Sequence, residues 1–270
     1  MDSENKSPIT YATVVEYSSK TNGTITDEKG FFELKIKNLE GSQIYLSSVG
    51  YKDTIISASA ALKLGRIFLK PHVYDLGTFI LESTSSDLIE LGNSKAIIRQ
   101  NNNYQASLGF YWGVYFKTGK KENGGVLERV NIHINKMGFP ETPLLIRFFE
   151  FKGDFEFFRS QPKDLFKELS SEQIIMRNNK VGWNELDVSH LNITAPSSGL
   201  YILFTPVGDI EEYHYETISG LKFGSTIGIY SDNKDSKRIF PVLQDGDRVS
   251  VIKKSRAPTP AVSIIISTAN

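Results

Sequence analysis

The spacing of apolar residues constrains this chain most. They alternate with polar residues over short runs, and no long 3.6-residue stripe develops. In residues 31–36, Phe32, Leu34 and Ile36 share one side while Glu33 and Lys35 take the other. A period of two marks a half-buried strand, and residues 43–48 repeat it. Around these runs sit Asn22-Gly23, Asp27-Glu28-Lys29-Gly30, Glu40-Gly41-Ser42 and Gly50. Glycine supplies positive φ in such turns, and Asp or Asn supplies a local side-chain hydrogen bond. Short strands separated in this way predict a β-sandwich.

Residues 81–92 are polar and turn-rich, which predicts a junction between two modules, residues 1–83 and 84–270. Beyond it the strands lengthen. Val130, Ile132 and Ile134 point one way, and Asn131, His133 and Asn135 the other. Residues 144–151 form a second strand, whose alternation slips at Phe148-Phe149 and so predicts a bulge. Residues 185–188, 200–205, 226–230, 248–253 and 261–267 complete the set. In the last, Val262, Ile264 and Ile266 share a face. Only residues 162–169 read as a helix, with Pro162 early and Asp164 in the first turn. The expected fold class is all-β, with a two-sheet, jelly-roll-like sandwich as the larger module.

Three blocks of the first module carry a family resemblance. They are Pro8-Ile9-Thr10-Tyr11-Ala12-Thr13-Val14, then Gly23-Thr24-Ile25-Thr26-Asp27-Glu28-Lys29-Gly30-Phe31-Phe32, then Leu46-Ser47-Ser48-Val49-Gly50-Tyr51-Lys52. In this order and spacing they resemble the carboxypeptidase-like regulatory domain. The resemblance implies a transthyretin-like β-sandwich used as an accessory or spacer module in the bacterial cell envelope, in the periplasm or at the outer-membrane surface. Family members open with a further strand before the proline, whereas only Met1 to Ser7 stand here. An export signal and a first strand removed upstream would account for that. The later region is loosely similar to a sandwich that follows this module in envelope proteins with no assigned activity.

Composition narrows the chemistry. Lys plus Arg and Asp plus Glu number 31 each, a formal charge of zero, which gives nucleic acid no cationic track to follow. Cysteine is absent, so disulfides, thiolate metal sites and cysteine nucleophiles are excluded. No apolar run approaches the ~18 residues of a transmembrane helix, and Met1 to Lys6 lack the apolar core of a signal peptide.

Motif chemistry is sparse. A zinc carboxypeptidase needs His-x-x-Glu, but His72, His133, His190 and His214 are followed at that spacing by Asp75, Lys136, Ile193 and Thr217. Gly-x-Ser-x-Gly is missing, and residues 220–225 lack the Gly-Lys-Ser/Thr ending of a phosphate loop. Asp232-Asn233-Lys234-Asp235 and Asp245-Gly246-Asp247 are the oxygen-rich candidates for calcium. Neither has the ordered ladder of a calcium loop, and Lys234 would repel the ion, so both read as solvated turns. No cofactor and no catalytic residue is expected, and the chain reads as non-enzymatic. Aromatic residues are the remaining lead: Tyr111, Trp112 and Tyr115 would form a sugar-stacking platform if exposed, although sandwich cores use the same residues. Trp183 reads as a core plug. The expected function is structural or binding, with a glycan or an envelope protein as partner. A carbohydrate-binding module and an accessory extension of a TonB-dependent receptor are the alternatives.

Overall fold

The computed structural model describes residues 1–17, 22–72, 86–92, 94–95, 98–104, 108–152, 160–208, 212, 215–216, 222–230, 238–245, 247–252 and 259–269. The first module contains β1 (Thr13–Glu16), β2 (Gly23–Ile25), β3 (Gln43–Ser47), β4 (Thr54–Ser57) and helix α1 (Ala58–Leu64). The second begins with β5 (Ser86–Leu91), β6 (Ile98–Tyr104), β7 (Tyr111–Phe116), β8 (Val126–Gly138) and β9 (Leu144–Phe151). It continues with β10 (Gln161–Pro162), β11 (Phe166–Glu168), β12 (Ile174–Met176), β13 (Gly182–Asp187) and β14 (Leu200–Pro206). β15 (Tyr215–Glu216), β16 (Lys222–Phe223), β17 (Ser225–Tyr230), β18 (Ile239–Asp245), β19 (Arg248–Val251) and β20 (Val262–Ala269) complete it. The fold is all-β and built from antiparallel sheets.

The second module is a sandwich of an 8-stranded sheet, ordered β10-β19-β18-β7-β14-β9-β11 with β12 also on β9, and a 6-stranded sheet, ordered β5-β20-β8-β17-β6 with β13 on β8. Val114, Phe148 and Ile202 from the first meet Val130, Ile132, Ile264 and Ile266 from the second in the main core. The expected bulge at Phe148-Phe149 is absent, because β9 runs in unbroken register against β14 from Leu144 to Glu150. The alternation slips for another reason: both faces of β9 are buried. Phe148 enters the core between the sheets and Phe149 a second cluster on the far face, so neither face selects polar residues.

The first module's sheet, ordered β2-β1-β3-β4, covers part of that far face. Its alternation sends Val14, Ile44 and Leu46 into its own small core with Ala58, Ala61 and Leu69. Thr13, Val15, Tyr45 and Ser47 face the other way, towards the second module. There Val15 and Tyr45 pack with Phe110, Tyr11 and Ile25 pack with Leu108 and Leu145, and Thr13 Oγ1 donates to the Tyr111 hydroxyl at 3.1 Å. The result is three stacked sheets.

Two turns follow the sequence logic. Asp27 Oδ1 accepts from the N–H groups of Lys29 and Phe31, both at 2.8 Å, and Gly30 takes φ +76°. Gly50 takes φ +78°, and the Tyr51 hydroxyl donates to Asp2 Oδ2 at 3.0 Å instead of reaching solvent. The N-terminal residues are tied down as well: Asp2 bridges Leu69 in parallel, and the Met1 ammonium donates to the Ile67 carbonyl at 2.8 Å.

Other expectations need correction. Residues 31–36 join no sheet, although Leu34 and Ile36 rest on the small core. Residues 162–169 are a single 3-10 turn, Lys163–Leu165, followed by β11. Phe166 and Glu168 are held there by pairing with Phe151 and Phe149 of β9, and a ladder bonded to a neighbouring strand displaces a weakly capped helix. Helix α1 is not among the sequence expectations, and its signals are local: Ser57 Oγ accepts from the Ala60 N–H at 3.2 Å, and Gly65 closes it at φ +64°. Of the expected junction, residues 81–85 lie outside the described residues, while Ser86 and Asp87 already belong to β5. Among the described residues, no helix is long and apolar enough to cross a membrane.

Candidate functional site

Among the described residues, Arg147, Glu168 and Lys163 gather buried charge where the two modules meet. Strand alternation on β9 sends Ile146 and Phe148 inward, and therefore sends Arg147 outward under the first module's sheet. Arg147 is only 2% exposed. Its Nε and Nη2 each donate to one Glu168 carboxylate oxygen at 2.6 Å, and its Nη1 donates to Ser47 Oγ at 3.1 Å. The first contact is the two-pronged fork that suits a guanidinium to a carboxylate. The guanidinium also lies 5.1 Å from the Phe149 ring centre and 5.6 Å from that of Tyr111, within cation–π range.

Lys163 arrives from the 3-10 turn. Its Nζ donates to Ser47 Oγ at 2.8 Å and to Asp53 Oδ1 and Oδ2 at 3.1 and 2.8 Å. Asp53 follows Gly50 by three residues, at the entrance to β4, and also accepts from the Tyr45 hydroxyl at 2.7 Å. Two cations from the second module thus meet one of its own carboxylates and one from the first, with the Ser47 hydroxyl between them.

Proton affinities follow from this packing. Burial works against charge on Arg147, but Glu168 beside it prevails and holds the guanidinium well above its ordinary range. Burial pushes Lys163 down and the Arg147 charge adds to that, with Asp53 and Glu168 opposing. Burial would raise Asp53, yet Lys163 and Arg147 outweigh it and hold the carboxyl below the usual carboxylate range. Burial, reinforced by Asp53, drives the Tyr45 hydroxyl well up.

The Asp53 shift has a testable sign. A carboxyl with a depressed folded-state pKa stabilises the fold above its unfolded pKa of ~3.9, and that contribution vanishes as pH falls through the folded value. Chemical denaturation between pH 5 and pH 2 is therefore expected to show a shallower acid loss of stability in Asp53→Asn than in the unmodified chain. Parallel acid limbs for the two would show that Asp53 is not ion-paired.

Beside this cluster opens a cleft of about 630 Å³, lined from the first module by Tyr45, Asp53 and Ile55 and from the second by Phe149, Lys163 and Phe166. Lys52, Lys152 and Lys167 contribute to its walls, and so do Asp164, Glu168 and Asp247. The buried charges are bonded to one another, which suits them to hold a shape and to present polar atoms to a ligand. Among the described residues, no group of three His, Cys, Asp or Glu side chains is placed to hold a metal ion.

The residues expected to stack on sugar are placed otherwise. Tyr111 and Tyr115 are each 1% exposed, so the exposed platform that the expectation required does not exist at these rings. Tyr115 lies 4.5 Å from Tyr201 in the far-face cluster and donates to the Ser198 carbonyl at 2.8 Å. Trp112 points the opposite way, half-buried against the core between the sheets and 4.3 Å from Tyr104. Of the three, only Tyr111 touches the junction, as a wall beneath Arg147. The third sheet covers Tyr111, whereas Tyr115 is covered by Tyr201 and Phe240 of its own sheet.

Trp183 is half-buried on β13, edge-on to His133 at 5.4 Å, rather than plugging the core. Partial burial lowers the pKa of His133, and its companions Asn131 and Asn135 are fully buried. His72 lines the cleft, His190 sits exposed 3.9 Å from Glu172, and His214 lies outside the described residues. Residues 231–237, with the first calcium candidate, are likewise outside them, while Asp247 of the second accepts from the Tyr17 hydroxyl at 2.8 Å.

Arg147, Glu168, Lys163 and Asp53 were not singled out from sequence. One signal was available: a lone arginine inside the apolar run Leu144-Leu145-Ile146-Arg147-Phe148-Phe149 needs a buried counter-charge. Nothing local identifies which carboxylate supplies it.

No family model and no curated protein matches the sequence. Among solved structures, the chain is similar to the cysteine protease and lectin-like domains of Cwp84, a surface layer associated protein of Clostridium difficile. The identity is 7% and the TM-score 0.37, over 96% of this chain and 59% of that one. The chain thus spans less than two thirds of that protein's length, and a likeness this shallow says nothing about its chemistry.

Proposed function

We propose that the chain is a non-catalytic binding protein of the bacterial cell envelope, built as two β modules locked together, with its ligand-contact surface in the cleft between them. One observation carries the reading: the buried cations of the junction are bonded across it, Lys163 to the partly exposed Asp53 and Arg147 to Ser47. Charges used in this way fix the walls of a cleft that both modules share, and a preorganised concave surface loses less on binding than a mobile one. The three N-terminal blocks that resemble the carboxypeptidase-like regulatory domain support the envelope setting and the accessory role.

Calorimetric titration with an acidic oligosaccharide, a neutral oligosaccharide and inorganic phosphate tests the cleft. Binding of an anionic probe is expected, and it should weaken about tenfold when Lys167→Glu reverses a charge in the wall. Cell fractionation tests the setting. Binding of every probe unchanged by Lys167→Glu would move the site elsewhere, and recovery of the chain from the cytoplasm would remove the envelope.

A further inference from the structure

Residues 31–36 alternate as a strand does, yet no sheet includes them. Two contacts orient the segment. The Phe31 carbonyl accepts from the Asp27 N–H at 2.8 Å while the Phe31 N–H donates to Asp27 Oδ1. Further along, the Lys35 carbonyl accepts from Asn22 Nδ2 at 2.8 Å. Odd-numbered residues therefore aim their peptide groups at the chain's own turn. Successive residues of an extended chain aim theirs to opposite sides, so Phe32, Leu34 and Ile36 present theirs outward. Among the described residues, none of these three has a backbone hydrogen-bond partner. Leu34 and Ile36 rest half-buried on the small core and hold the segment in place, while Phe31 is 70% exposed and Phe32 37%. A held segment whose peptide groups stand open along one side is a template for a strand.

We propose that this edge pairs with the same segment of a second copy, antiparallel and centred on Leu34, to form a two-fold dimer. Charge complementarity identifies the occupant. With Leu34 opposite its own copy, Glu33 meets Lys35, Phe32 meets Ile36 and Phe31 meets Lys37, each pair occurring twice by symmetry. Acid opposes base, an aromatic ring opposes a β-branched side chain, and a ring opposes an ammonium. All are favourable across antiparallel strands. The register is selective. Centring on Ile36 would set Lys35 against Lys37, and centring on Phe32 would leave Glu33 against Phe31. The Leu34 register also brings the outward peptide groups of Phe32, Leu34 and Ile36 into facing, doubly bonded pairs, and a self-complementary patch is what a two-fold interface requires.

Sedimentation of the full chain over a range of concentrations tests this. The unmodified chain is expected to dimerise. Glu33→Lys alone, or Lys35→Glu alone, places like charges opposite each other twice and should weaken the dimer by about tenfold or more. The double variant Glu33→Lys/Lys35→Glu restores both pairs and should recover the dimer. Both side chains are exposed, so the variants fold, and circular dichroism verifies it. A chain that stays monomeric at every concentration overturns the proposal and leaves the edge to a foreign strand. A dimer indifferent to the single reversals overturns it too.

Discussion

Replacing Arg147 with alanine is expected to cost about 3–5 kcal/mol of unfolding free energy, the range for removing one partner of a buried ion pair. Glu168, 3% exposed in the intact fold, would lose both prongs of its fork, and Ser47 Oγ would lose one of its two donors. A second variant separates the stranded charge from the lost packing. In Arg147→Met/Glu168→Leu both charges disappear and the volume is largely kept. Buried ion pairs exchanged for apolar groups of similar size are often neutral or stabilising, so the double variant should regain most of the loss. Urea unfolding of the three proteins reads the result directly. An Arg147→Ala chain as stable as its parent would mean that water reaches Glu168 and that the modules are not closed over it.

Gly113→Ala is expected to be the next most damaging change, at about 3 kcal/mol, the upper end of the usual cost of overpacking. Gly113 lies on β7, between β14 and β18. A Cβ at this position would sit 2.2 Å from the Ile202 carbonyl oxygen and 2.9 Å from the Leu203 Cα. These are backbone atoms of the neighbouring strand, so no side-chain rotation relieves the contact, and the sheet itself must shift. The expected signature is a lowered thermal midpoint with reduced soluble yield. Gly41→Ala serves as the comparison: its added Cβ meets nothing within 4 Å, although the residue's φ of +124° adds local strain. If Gly113→Ala were the milder of the two, the close approach of β14 to β7 would be disproved.

How far the architecture was legible depends on the kind of signal. Strands with one buried face and one polar face read correctly: Val262, Ile264 and Ile266 enter the main core together. Strands buried on both faces misled, as when the Phe148-Phe149 slip suggested a bulge that the register of β9 lacks. Residues 31–36 carry a strand's pattern but join no sheet among the described residues. The aromatic residues around Trp112 could not be assigned from sequence at all, because an aromatic side chain serves a core and a sugar platform equally well.

Local chemistry by itself determined the all-β class, the Asp27–Gly30 turn and the longer one-face strands such as β8 and β20, because turn and strand preferences act between residues close in the chain. Only the tertiary structure decided that the first sheet lies on the second module. That contact buries Tyr111 and brings Arg147, Glu168, Lys163 and Asp53 together. The physical reason is range: a buried charge requires a partner, but Arg147 and Ser47 stand 100 residues apart and Lys163 and Asp53 110. No local preference spans such distances, and the packing of one sheet on another chooses the pair.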